Sequence, residues 1–154
     1  MSASNWALSA ASRFVEHERI RNEQWASTMQ KRQTIVSQAP ALWEQVRQAI
    51  QTQVRCFNEH VGRQVMTVHI QGNGKLTVCG RTETGPRTMT LTFDAGAPSV
   101  LCKINSAEGN FEFEGRYLID LKSGGGGLVA RSGRVECSAE EVAGDFLNRF
   151  MGWN

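Results

Sequence analysis

Between residues 63 and 137 apolar and polar residues alternate in short runs, and each run stops at a cluster of Gly, Asn, Asp, Ser or Pro. A period of two over four to eight residues marks a strand with one face packed and the other wet. The first such run, 64–70, places Met66, Val68 and Ile70 on one side and Thr67 and His69 on the other. It ends at Gln71-Gly72-Asn73-Gly74, and Asn-Gly readily takes the positive φ angles of a tight hairpin turn. Strands are expected next at 75–81 (Leu76, Val78 inward), 87–93 (Met89, Leu91, Phe93 inward; Thr88, Thr90, Thr92 outward) and 99–105 (Val100, Cys102, Ile104 inward). Phe111 and Phe113, then Tyr117, Ile119 and Leu121, continue the inward set, with Gly115 read as a bulge. Residues 128–130 and 134–137 add the last strand or two. Parallel neighbours need crossovers of a dozen or more residues, which the short links do not supply, so the topology is an antiparallel up-and-down meander of five to seven strands.

A sheet with one apolar face needs a cover. Residues 5–38 hold neither Gly nor Pro and are rich in Gln, Arg, Glu and Ala, which favours a long polar helix capped by Ser4 or Asn5. Its apolar positions Trp6, Ala10, Phe14, Trp25 and Met29 fall partly on one stripe. Pro40 disfavours helical geometry at Ala39 and suits the first turn of a new helix, so a break is expected there. The second helix, 40–61, carries Leu42, Val46, Ala49, Ile50, Val54, Phe57 and Val61 at spacings of three and four or their sums, and Gly62 ends it. Ser138-Ala139-Glu140-Glu141 is a capping box that opens a third helix over 138–151, with Val142, Ala143, Phe146, Leu147 and Phe150 on one face. The fold class is therefore α+β within one domain, 1–154: two N-terminal helices, the meander, and a C-terminal helix packed on one sheet face.

A net charge of +2 at pH 7, with seven Lys/Arg against five Asp/Glu in residues 1–62 and ten of each afterwards, gives no basic patch of the kind nucleic acid requires. Aromatics that would stack on bases sit on the face assigned to the core. No run approaches the ~18 apolar residues of a membrane span, and MSASNWALSAASRF lacks the basic start and unbroken apolar stretch of an export signal. A cytoplasmic location follows, with Cys56, Cys79, Cys102 and Cys137 as reduced, buried thiols.

No pattern names a reaction. His17, His60 and His69 show no metal-ligand spacing, and a His60/His69/Cys79 cluster is weak. A Cys79–His69 nucleophile pair is opposed by the hairpin count, which sets residue 69 against 77 rather than 79. Glu112 and Glu114 share one wet face by alternation, and the Gly124–Gly127 run precedes a strand where a phosphate cradle needs a helix. No cofactor, metal or catalytic residue is assigned, and an enzyme is not favoured; were there one, Cys79 or Cys102 would be its thiol.

The leading expectation is a non-catalytic interaction or assembly module, homo-oligomeric or bound to another protein, with Trp6, Phe14, Trp25 and Met29 as contacts. The alternative is a small apolar ligand held between sheet and helices and lined by Met66, Met89, Phe93 and Phe111.

Overall fold

The computed structural model describes residues 3–153, with side chains from Asn5 to Trp153. Its elements in order are α1 (Ala3–Val61), β1 (Met66–Gln71), β2 (Lys75–Thr82), β3 (Gly85–Asp94), β4 (Ser99–Ser106), β5 (Phe111–Leu121), β6 (Leu128–Ser132), β7 (Val135–Cys137) and α2 (Ala139–Met151). The seven strands form a single sheet in the order β1-β2-β3-β4-β5-β6-β7, antiparallel at each pairing. The α+β class, the meander and the C-terminal helix are as the sequence predicts. The chain divides into two compact units, residues 1–34 and 35–154.

The helix count differs from expectation. One helix of 59 residues replaces the predicted two, and Pro40 lies inside it. Pro in a helix interior removes the bond to the preceding turn and crowds its carbonyl, at a cost of about 3 kcal/mol. What offsets this is the frame of the buried residues. Ala39, Leu42, Trp43, Val46, Ile50 and Val54 are all buried, and their spacing is helical across Pro40, which itself faces solvent. Breaking the helix at residue 39 would rotate Ala39 out of line with Trp43. Asn5 and Ser4 also fall within α1 rather than before it, the Ser4 side chain lying outside those described.

The core of the 35–154 unit lies between one sheet face and the helices. Leu76, Val78, Met89, Leu91, Val100, Cys102 and Ile104 come from the strands, and Val142, Phe146 and Phe150 from α2. Trp43, absent from the predicted stripe, is only 2% exposed; it stacks on Phe93 with ring centroids 5.9 Å apart, and its Nε1 donates to the Asn73 carbonyl at 2.7 Å. Val61, predicted inward, is exposed, because it occupies the last position of α1.

β5 departs from simple alternation, and the bulge is not at Gly115. Ile104 faces Phe113 while Asn105 faces Phe111, so Glu112 is the extra residue. A one-residue slip exchanges faces, and Phe111 is accordingly 65% exposed rather than inward. The same slip separates the two glutamates: Glu112 pairs with Arg87 at 2.7 Å, and Arg87 also donates to the Phe150 carbonyl at the end of α2. Gly115 keeps its register opposite Cys102. A Cβ there would lie 2.6 Å from the Phe113 ring, so glycine is required by the ring rather than by a bulge.

The capping box at Ser138 forms in full, and Gly152, at φ 81°, closes α2. An uninterrupted α1 carries a direct consequence: Pro40→Ala restores a backbone bond without disturbing a buried side chain. It is expected to stabilise the protein by about 2 kcal/mol, the helix gain less the entropy returned to the unfolded chain. Urea denaturation measures this, and no gain would mean that the helix does not run through residue 40.

Candidate functional site

Residues 5–34 form a helical segment whose large apolar side chains lie outside. Trp6 is 67% exposed, Phe14 66% and Trp25 67%, with Leu8, Val15 and Ile20 also exposed; Met29 is half-buried. Trp6, Ala10 and Phe14 follow one another at single-turn spacing and share a flank with Arg13, His17 and Arg21. Trp25 and Met29, one turn apart, lie further along. The four predicted contact residues therefore form two apolar groups rather than one stripe. Between them Arg19 bridges Glu16 and Glu23, and its hydrogen bond holds the Glu16 carboxyl below the usual range. Such solvent-screened i,i+3 and i,i+4 pairs add far less to a helix than the burial of one tryptophan.

The four residues of the ligand-pocket alternative are dispersed. Met89 is fully buried, Met66 nearly so, Phe93 lies under Trp43, and Phe111 is on the open side. Met66 does border an open groove of about 820 Å³ between α1 and β1, walled by Gln51, Val54, Arg55, Asn58 and Glu59 and by Thr67 and Val68. At its end Asn58 accepts from the amides of Val65 and Met66 and donates to the Met66 carbonyl.

A second cleft of about 350 Å³ lies beside β5, lined in part by Gly115, Tyr117, Ser132, Cys137, Asp145 and Arg149. Tyr117 donates to Asp145 at 2.7 Å and meets Phe146 edge-on, while Arg149 sits 4.5 Å over the Phe113 ring. Burial, then the Asp145 bond and charge, push the Tyr117 hydroxyl well above its ordinary value. Burial, then Glu141 and Asp145, raise the Cys137 thiol. Both groups are thus held protonated near neutral pH, and neither is poised as base or nucleophile. Sequence periodicity gave no signal for this cluster, because its members come from β5, β6, β7 and α2.

The four cysteines are free, and they differ: Cys56 is exposed, Cys79 and Cys137 half-buried, and Cys102 buried, so the expectation of four buried thiols holds for Cys102 alone. His69 stands opposite Thr77 and Cys79 opposite Thr67, the offset that the hairpin count predicts. His60 Nδ1 bonds to the Cys56 carbonyl. Among the described residues no three His, Cys, Asp or Glu side chains gather as a metal site, and no helix is long and apolar enough to cross a membrane. Comparison with models of known families, with curated proteins and with solved structures gave no match.

Burial pushes the Cys102 thiol up to about 12 from 9.0. A raised folded-state value means that the thiol's contribution to stability is complete below the unfolded-state value. It is lost as pH climbs from about 9 towards about 12. Native thiol titration is expected to label Cys56 first and Cys102 only on unfolding. Cys102→Ala should flatten the alkaline loss of stability in a pH series of denaturation curves, and rapid native labelling of Cys102 would contradict its burial.

Proposed function

We propose that this protein is a non-catalytic assembly module that takes hold of a partner through residues 5–34 of α1. The partner is another copy of the chain or a helix of a different protein. The observation that carries this reading is the exposure of Trp6, Phe14 and Trp25 on a segment otherwise rich in polar residues. A helix owes most of its stability in water to burial of an apolar face, and tryptophan is the residue most enriched among side chains that dominate interface energetics. The Arg19 pairs with Glu16 and Glu23 add a little to the helix and leave both apolar groups open to a partner.

The second reading is a site for a small apolar molecule. The groove beside Met66 favours it, but Met89, Phe93 and Phe111 do not line that groove, and its walls carry Arg55, Glu59 and Gln51.

Light scattering at micromolar concentration separates the two. An assembly larger than one chain is expected for the wild type if the partner is a second copy. Trp6→Ser with Trp25→Ser should weaken it at least thirtyfold, the equivalent of about 2 kcal/mol for the loss of interface anchors. If the partner is a different protein, the same pair of substitutions should abolish its capture from the native host's extract. A strict monomer that captures nothing, with a thermal shift on adding an apolar metabolite, would favour the second reading.

A further inference from the structure

We propose that β1 is a self-complementary edge through which two copies of the sheet domain pair across a two-fold axis. β1 ends the sheet, with β2 as its one neighbour. The direction of its backbone groups follows from Asn58, whose side chain takes both the amide and the carbonyl of Met66. Met66 therefore faces away from β2. In an antiparallel ladder donors and acceptors alternate sides residue by residue, so Val68 and Ile70 also face outwards, while Thr67, His69 and Gln71 bond to Cys79, Thr77 and Lys75.

Asn58 thus closes the edge at one end and the Gly72-Asn73 turn closes it at the other. An added strand can bond at Val68 and Ile70. A second β1, run antiparallel with the axis at His69, offers the same two residues in exchange. Val68 then faces Ile70 of the second copy and Ile70 faces its Val68, two pairs that each exchange two backbone bonds. Registers that set Val68 on Val68, or Ile70 on Ile70, bring in Met66, already bonded to Asn58, or the turn. The side chains agree with the backbone. Val68 is half-buried at the mouth of the groove between α1 and β1, and Ile70 is 48% exposed. Pairing sets these four β-branched side chains against one another on the helix-covered side, which is the arrangement that stabilises neighbouring strands. The edge carries neither Lys nor Pro, the usual guards against such pairing.

The occupant follows from this register: a β1 from a second copy fits both the donor pattern and the length between the two stops. A dimer built this way carries two copies of the 5–34 segment, and so grips a multivalent partner with an avidity one chain lacks. That consequence rests on the assembly reading above; the pairing itself does not.

Three full-length variants test it in sedimentation velocity at tens of micromolar. Ile70→Lys places a charge on the edge, and Ile70→Pro removes an outward donor without touching a bond to β2. Trp6→Ser with Trp25→Ser alters the helix alone. The wild type and the helix variant are expected to show the β1 dimer, and both Ile70 variants to lose one association step while keeping the wild-type circular dichroism. Should Ile70→Pro fail to fold, Ile70→Lys and hydrogen exchange decide: the Val68 and Ile70 amides should exchange about tenfold more slowly in the concentrated wild type than in the dilute protein. An association step left unchanged by both Ile70 substitutions, or free exchange at Val68 and Ile70 in the concentrated protein, overturns the pairing. Association lost in the helix variant alone leaves the helix reading standing and removes this one.

Discussion

The apolar face of the meander cannot stand in water, and its cover is fastened to it at particular points. Within the 35–154 unit, Trp43 stacks on Phe93 and bonds to the carbonyl of Asn73 in the first hairpin turn. Some four turns later along the same helix, Asn58 ties down Val65 and Met66 at the start of β1. These two fastenings hold β1 alongside α1 from end to end, and Leu76, Val78, Val46 and Ile50 are all part of the common core. The aromatic stack contributes on the order of 1 kcal/mol beyond its buried area. Its larger effect is to make one helical frame mandatory through Pro40.

α2 covers the face from β3 to β7, and here the fastening is a charged hydrogen bond. Arg87 reaches the Phe150 carbonyl at the helix C-terminus and pairs with Glu112. A cation at the negative end of a helix is favourable by itself, and the bulge is what brings Glu112 to it. The wet face of the sheet carries Thr88, Thr90, Thr92, Lys103 and Glu114, with Phe111 and Leu118 exposed beside them. Also open are the tryptophans of residues 5–34 and the free edge of β1. Both are proposed as surfaces for holding other chains; in the cleft beside β5, Tyr117 and Cys137 are held protonated.

Much of this architecture was legible because it rests on short-range rules. The capping box at Ser138 and the Thr-x-Thr-x-Thr run of β3 declare themselves within a few residues and form as expected; the first hairpin also forms where expected, but its positive φ falls at Gly72 rather than at Asn73-Gly74. The exposure of Trp6 and Trp25 was legible for the same reason, since both stand in a stretch too polar to bury them. The Tyr117–Asp145 bond and the Asn58 clamp were not, because each joins residues whose proximity depends on how elements pack. Phe111 was misread through one residue, since a bulge leaves no mark in a pattern of alternation and yet reverses every position before it.

By itself the sequence determined the periods: two along the strands, 3.6 along the helices, with turns where glycine tolerates positive φ. Those are properties of neighbouring residues, set by backbone sterics and the side of the chain that each apolar group occupies. Only the tertiary structure decided that Pro40 would stay helical, that the slip in β5 would fall at Glu112, and that Val68 and Ile70 would turn their backbone outwards. In each case a local preference worth a few kcal/mol at most met a packed surface that accepts one frame. The buried area on the sheet outweighed the proline, the salt bridge to Arg87 took up the extra residue, and the Asn58 amide set the direction of the edge.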